Sequence, residues 1–374
     1  MRNVVTISKR QIWAMALLIL AAFASCCIAV ECIVAIPVLF IMSMNKKITR
    51  IEIFCCFMTA CLFVVLIRTG MISFPMFSQA AYLFSQNEDL CFWLESGHVH
   101  AVRLAIVYPG VIIGRWLNKD VDYGVTLYSA MLMILIVYFM LRMMHVNKME
   151  NRVGALFSAL FVLALSFLMN GRLIFTFFGI SLLALYELKF REREVSVVTL
   201  EIITAICVFF TLVSSGTMMV ALGYVVLITP YRWSKAQSTN ERVLLVLILL
   251  VAAIPVAYIF VPYVIVMLMR NVNFFGGGFQ GAINVIHHGL GRFIDTENMA
   301  LVLVLLFAGV IVVMANIYLF RREIIRKNHP DLPLFLLANL SIYGSVFGIS
   351  TGLTATIPFL VLMIEKMNRS FRYA

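Results

Sequence analysis

The chain has 374 residues, of which 63% are apolar and only 13% are charged, about half the charged fraction of an average soluble domain. Its mean hydropathy is +1.01, and a water-soluble protein of this size could not bury so much apolar surface in one core. The composition excludes a soluble enzyme, a disordered chain and a disulfide scaffold, and indicates a polytopic membrane protein. The formal charge of +11 would suggest nucleic acid as a partner of a soluble protein. In a membrane protein, however, basic residues mark the cytoplasmic loops.

The eight cysteines form no CxxC pair and no Cys/His cluster, so neither a disulfide framework nor a metal site is expected. Seven lie in apolar stretches and are expected to be buried as small apolar side chains, whereas Cys91 lies in a polar region. The N-terminal MRNVVTISKR precedes an apolar run without a clear small-residue cleavage site, so we expect the first helix to be retained.

Apolar runs of nearly membrane-spanning length follow one another along the whole chain. They predict about twelve transmembrane helices, at roughly 11–26, 28–44, 51–67, 125–143, 152–169, 173–188, 196–213, 217–231, 242–266, 299–320, 332–348 and 352–365. The even number puts both termini on one side of the membrane. We therefore expect an all-α polytopic protein that forms a single helical domain over 1–374.

One further apolar run, at 101–116, decides the orientation of every later loop. If this run does not span, 22 of the 29 basic residues share a side with the N-terminus. If it spans, the five basic clusters from Arg142 onward fall outside, against the positive-inside rule. The run is therefore predicted to be a re-entrant or interfacial outer helix, interrupted at Pro109-Gly110, and both termini are predicted to be cytoplasmic. The inner side then carries a net charge of +13 and the remainder −2, so the basic excess gives no reason to expect nucleic acid.

Two outer loops are long, at about 68–124 and 267–298, and loops on a rigid scaffold often carry function. Seven basic residues lie outside and are not explained by the positive-inside rule: Arg68, Arg103, Arg115, Lys119, Arg172, Arg270 and Arg292. This pattern predicts an outward-facing site that binds an anion, because a guanidinium is the usual bidentate partner of phosphate.

Among these arginines, Arg172 and Arg292 are the first candidates for a functional role. Arg172 lies in the tight turn Asn170-Gly171-Arg172 at the membrane boundary, where a charge is costly unless it has a function or snorkels to the headgroups. Arg292 follows a glycine-containing stretch and either binds the ligand or pairs with nearby acidic residues. The second candidates are Arg103 and Arg270.

The candidate general bases are Glu95, His287 and His288. Glu95 begins the 101–116 region and is alternatively a carboxylate that favours a helix start. His98 and His100 are two residues apart, a spacing that does not suit shared ligation on one helix face, so no metal is expected there either. The three consecutive glycines at 276–278 are not followed by Lys-Ser/Thr, which excludes a P-loop, and they are read as a hinge.

The order of these features resembles the EpsG-like branch of the Wzy-type polysaccharide polymerases. The resemblance covers roughly 85–245: the motif Glu95-Ser96-Gly97, the re-entrant stretch 101–116, the span 125–143, then NGRLIFTFFGISLLALYELK and LVSSGTMMVALGYVV. Ser96 stands where the family often has Pro, Leu173 where it often has Gln, and the turn at 214–217 lacks the His often found there.

The resemblance implies an enzyme of the bacterial inner membrane, multi-pass, that serves O-antigen, capsule or exopolysaccharide synthesis. It would transfer a growing glycan from undecaprenyl pyrophosphate to the non-reducing end of a lipid-linked repeat unit at the outer face, without metal or nucleotide cofactor. Its implied partners are the lipid-linked oligosaccharide, membrane lipid, a flippase and a chain-length regulator. Arginines would hold the pyrophosphate leaving group, as electrostatic stabilisation of its developing charge requires.

The sequence is also compatible with other functions. A lipid-linked oligosaccharide flippase also has about twelve helices, although transporters often show internal repeats that this sequence lacks. A glycosyltransferase that uses lipid-phosphate sugars often carries an acidic motif in its first outer loop, where this chain has only Glu31 nearby. An O-antigen ligase shares the chemistry and differs in the acceptor.

Overall fold

The computed structural model describes residues 4–5, 48–49, 90–95, 101–146, 172–213, 215–236, 238–255, 261–290 and 330–344, and shorter groups at 55–56, 59, 307, 310–311, 314–315, 317–318, 321, 354–355 and 357–362. Nearly all of these residues are helical, as the all-α prediction requires. The chain divides into two compact units, 1–178 and 179–374. The single helical domain over 1–374 stays a prediction.

Within the part of the chain that the structure describes, two short strands and ten helices are defined. The strands β1 (Val4–Val5) and β2 (Ile48–Thr49) pair antiparallel, with Val4 opposite Thr49. The helices are α1 (Leu90–Glu95), α2 (Ala101–Trp116), α3 (Val121–Val146), α4 (Arg172–Arg191), α5 (Val197–Thr211), α6 (Ser215–Lys235), α7 (Thr239–Pro255), α8 (Val261–Phe274), α9 (Gly278–Leu290) and α10 (Leu332–Gly344).

In the first unit, α2 and α3 form a hairpin whose backbones approach closely. Gly110 and Gly114 lie four residues apart on α2 and face Gly124 on α3, and a Cβ added at Gly110 would lie 2.7 Å from Val125 Cα. Small residues four apart allow such contact between apolar helices. The connection is short because Asn118 adopts a positive φ of 52° and the Tyr123 amide donates to Asp120 Oδ1 over 2.8 Å.

The helix α2 coincides with the predicted outer helix at 101–116, but the predicted interruption at Pro109-Gly110 is wrong. The helix continues through Pro109, whose ring lies on its exposed side, and Gly110 is buried against α3. Packing against α3 therefore offsets the hydrogen bond that proline cannot donate. Whether α2 is re-entrant or interfacial stays a prediction, as does the outer position of the 68–124 loop that contains it.

Among the described residues, one helix is long and apolar enough to cross a membrane by length and composition, Val121–Met143 within α3. It contains the predicted span 125–143. Helices α4, α5, α6 and α10 overlap the predicted runs at 173–188, 196–213, 217–231 and 332–348. The runs at 11–26, 28–44 and 152–169 lie outside the described residues, and those at 51–67, 299–320 and 352–365 lie largely outside them.

The predicted run at 242–266 overlaps α7 and α8, and the outer loop predicted at 267–298 contains the end of α8 and all of α9. Helix α7 starts at Thr239, while α8 extends to Phe274 and α9 occupies Gly278–Leu290, so two helices fill much of the expected loop. Gly276, Gly277 and Gly278 have φ values of 110°, 75° and 55°, and they form the tight turn between α8 and α9. Glycine adopts these left-handed conformations without the steric cost that a Cβ would add.

The close approach of α2 and α3 predicts that Gly124→Ala destabilises the protein. The added methyl group would meet the Gly110 carbonyl oxygen and the Gly114 backbone, with Gly114 Cα at 2.7 Å. Because backbone atoms cannot rotate away, we expect a loss of about 1–3 kcal/mol, measured as a lower unfolding midpoint in detergent. Gly223→Ala is the control, since its methyl group would lie 3.4 Å from Leu340 Cδ2. Equal midpoints for the two variants would contradict the packing described.

Candidate functional site

Arg232, in the last turn of α6, is the largest fully buried side chain in the described part of the chain. Its Nη2 donates to Oε1 of Glu187 on α4 over 2.5 Å. Its Nη1 lies 3.0 Å from Oε1 of Glu201 and donates to Thr204 Oγ1 over 2.8 Å, and both residues are on α5. One guanidinium therefore links three helices of the second unit.

Tyr224 completes this group of side chains. It lies two helical turns before Arg232 on α6, and its hydroxyl donates to Glu187 Oε1 over 2.5 Å. The Arg232 guanidinium carbon lies 5.8 Å from the centroid of the Tyr224 ring. Glu187 Oε1 thus accepts two short hydrogen bonds, one of them from a charged donor, and such bonds are the stronger class. We call Glu187, Glu201, Thr204, Tyr224 and Arg232 the Arg232 cluster.

The Arg232 cluster holds two carboxylates and one guanidinium, so its formal charge is −1. The Arg232 side chain is 1% exposed, and those of Glu187 and Glu201 are 3% and 9% exposed. Burying ions costs several kcal/mol each, and only close pairing and further hydrogen bonds offset that cost. The cluster is therefore stable only with its partners in place.

The cluster forms because three charges occur at matching levels on consecutive helices. Glu187 lies one turn before the end of α4, and Glu201 lies in the second turn of α5. A short turn joins these helices: Arg193 takes a left-handed φ of 61°, and Ser196 caps α5 by accepting from the Thr199 amide over 3.2 Å. Chain reversal at this turn brings the two carboxylates to one level, where Arg232 lies between them.

A cavity of about 630 Å³ opens beside Glu187. Charged side chains of both signs line it, together with Tyr231 and the start of α5; they are Glu187, Arg191, Arg193, Glu194, Lys235 and Glu241. One of them, Arg191, is paired across the fold, with its Nη1 2.9 Å from Asp331 Oδ1. Glu187 therefore borders a polar space although its side chain is buried, whereas Arg232 does not line the cavity.

The residues predicted for pyrophosphate binding are described to different extents. Arg172 is the first residue of α4, and its side chain lies outside the described residues. Arg103 lies in the first turn of α2 and is half-buried, and Arg270 is exposed on α8. Arg292 lies outside the described residues. Their assembly into one site therefore stays a prediction.

The predicted general bases lie at helix ends. Glu95 is the last residue of α1, and His287 and His288 lie in the last turn of α9. The side chains of all three lie outside the described residues. Within the described part of the chain, no three His, Cys, Asp or Glu side chains are grouped so that they could hold a metal ion.

The Arg232 cluster was not predicted from the sequence. Arg232 and Glu187 lie among the charges that the positive-inside rule places on the inner side, and Glu201 lies alone within the apolar run at 196–213. The sequence nevertheless contained a signal. All three residues lie within one or two helical turns of the ends of neighbouring apolar runs that are predicted to face the inner side. The burial predicted for cysteines is confirmed at Cys55, Cys56 and Cys207, and Cys91 is exposed as expected.

In comparisons with family models, characterised proteins and solved structures, no match to the chain was found.

Arg232→Met should destabilise the protein, because it leaves two buried carboxylates without their counter-ion. Breaking a buried pair in this way costs about 3–5 kcal/mol, so we expect a clearly lower unfolding midpoint of the purified protein in nanodiscs. Lys235→Met is the control, since it removes an exposed positive charge three residues further along α6. If both variants unfolded at the midpoint of the unmodified protein, Arg232 would not hold the three helices together.

Proposed function

We propose that the chain is a multi-pass polysaccharide polymerase of the bacterial inner membrane. In this proposal about twelve helices span the membrane with both termini cytoplasmic. At the outer face, the protein transfers a growing glycan from undecaprenyl pyrophosphate to the non-reducing end of a lipid-linked repeat unit. The basis is the resemblance of 85–245 to the EpsG-like, Wzy-type polymerases, combined with the charge pattern of the chain.

The observation that supports the proposal most directly is the charge distribution along α4. This helix has 20 residues, so it is about 30 Å long, close to the thickness of the hydrocarbon core. It begins at Arg172 and carries Lys189 and Arg191 in its last turn. If the basic end is cytoplasmic, as the positive-inside rule favours, Arg172 lies at the outer boundary, where the family resemblance expects an arginine.

The start of α4 also suits an anionic leaving group. The first amides of a helix lack intrahelical acceptors, and the helix dipole favours negative charge at that end. A guanidinium at the first helical position adds a full positive charge and a bidentate donor. In the proposed site, Arg172 and Arg292 bind the pyrophosphate, with Arg103 and Arg270 in support.

The proposed reaction balances without metal or nucleotide. The acceptor hydroxyl oxygen attacks the anomeric carbon of the sugar that is bound to pyrophosphate. The bond between that carbon and the pyrophosphate oxygen breaks, and the lipid pyrophosphate leaves with the electron pair. Glu95, His287 or His288 takes the hydroxyl proton. The arginines stabilise the charge that develops on the leaving oxygen.

Arg172→Ala and Arg292→Ala should each abolish chain extension while protein level stays unchanged. Loss of one such electrostatic donor commonly costs about 100-fold or more in rate, which a gel of surface polysaccharide would show as single repeats in place of long chains. Lys119→Ala is the matched control, since Lys119 is exposed and predicted to lie on the same outer side. Long polymer from both arginine variants would show that the site assignment is wrong.

Deletion of the gene separates the proposal from its alternatives. A polymerase defect leaves surface lipid capped with a single repeat unit. Loss of all surface repeat units would instead indicate a flippase, and accumulation of polymer that is not attached to its acceptor would indicate a ligase. Either of the last two outcomes would overturn the polymerase assignment.

A further inference from the structure

The α8–α9 hairpin is a well-defined unit that was expected to be an outer loop. The Gly277 amide donates to the Val272 carbonyl over 2.9 Å, and the Gly281 amide donates to the Gly277 carbonyl over 2.8 Å. Asn284 Nδ2 donates to the Phe275 carbonyl over 2.9 Å, which ties α9 to the turn. Gly281 packs against the Val272 backbone, so the two helices touch without room for a Cβ.

This hairpin presents large apolar side chains outward. Phe274 and Phe279, on the two sides of the glycine turn, are 81% and 82% exposed. Earlier in α8, Ile265, Val266 and Met269 are 54%, 49% and 56% exposed. An exposed apolar surface of this extent marks a place that another apolar phase covers.

Charge distribution indicates which phase that is. In the 30 residues from Val261 to Leu290, Arg270 is the only Lys, Arg, Asp or Glu. It is exposed on α8, the helix that also carries Ile265, Val266, Met269 and Phe274. Aromatic side chains and an arginine whose apolar stem can lie along lipid are typical of the boundary between lipid headgroups and acyl chains.

Helix length, combined with the proposed orientation, also favours that boundary. Helices α7 and α8 have 17 and 14 residues, which correspond to about 25 Å and 21 Å. The hydrocarbon core is only about 30 Å thick, so one straight passage cannot contain both helices. If α7 crosses the core from the cytoplasmic side, as the basic end of α6 favours, a straight continuation would carry much of α8 beyond the core.

We propose that α8–α9 is a lipid-docking hairpin whose exposed apolar side chains, led by Phe274 and Phe279, insert into the bilayer at the headgroup boundary while Arg270 contacts lipid phosphate. Assignment to the outer leaflet rests on the orientation given under the proposed function. The contact with lipid itself does not depend on the reaction.

Docking at the headgroup boundary would fix the depth of the polar residues that the hairpin carries. The hairpin carries Arg270, His287 and His288, and Arg292 follows it in the chain. The pyrophosphate of a membrane-anchored carrier lies at the level of the headgroups. A hairpin fixed at that level keeps its polar residues at the depth of the leaving group, which a mobile aqueous loop would not do.

The test is photocrosslinking of the full chain in nanodiscs of phosphatidylethanolamine and phosphatidylglycerol. A benzophenone amino acid replaces Phe279 or, in a second variant, Phe274; both positions are exposed, so neither change disturbs the interior. The control replaces Lys119, an exposed residue of the α2–α3 turn. We expect at least about tenfold more lipid adduct, by mass spectrometry, at 279 and 274 than at 119, because apolar side chains partition strongly out of water.

Two results would overturn the proposal. Lipid adducts at 279 and 274 no more abundant than at 119 would mean that the hairpin faces water. Adducts to another protein segment or to a second copy of the chain would mean that protein covers this surface. Polymer synthesis measured on the same variants keeps the two proposals apart: lipid adducts without polymerase activity would leave docking intact, and activity without lipid adducts would overturn docking alone.

Discussion

The guanidinium of Arg232 is almost fully buried, and the arrangement of α4, α5 and α6 depends on how its charge is compensated. In an apolar surrounding every polar group must find its partner within the protein. Here the partners come from three helices: Glu187, Glu201 and Thr204, together with Tyr224 on α6 itself. Because each member would be costly to bury alone, the set fixes the relative level of the three helices and the position of the turn between α4 and α5.

Sequence reasoning succeeded where the signal is local and long. The predicted span at 125–143 corresponds to α3 and the run at 173–188 to α4, because apolar runs of this length are far longer than a strand. The outer run 101–116 also has the bounds of α2, although packing of Gly110 against Val125 keeps the helix continuous through Pro109. The glycine spacing that permits this contact can be read from the sequence.

Features that depend on residues distant in the sequence, or on the packing around a segment, could not be predicted in this way. Glu201 looked isolated because its counter-ion lies 31 positions further along the chain, at Arg232. The helices of the α8–α9 hairpin, which lies within the predicted outer loop, were not predicted because glycine, asparagine and histidine obscure the helical pattern around Gly276 to Gly278. Both features bear on the proposed polymerase: the Arg232 cluster links α4, α5 and α6, and the proposed lipid-docking hairpin carries candidate catalytic residues that the proposal places at the other membrane face.

The outward-facing site requires the Arg232 cluster and the lipid-docking hairpin to lie near opposite faces of the membrane. This is tested most directly by fusing alkaline phosphatase, which is active only outside the cytoplasm, to the chain after Ala236 and after Gly277, with fusion to a fluorescent protein that matures in the cytoplasm as the complementary reporter. We predict phosphatase activity only after Gly277 and fluorescence only after Ala236. Activity of the same reporter at both positions would contradict the orientation, and with it the outward-facing site.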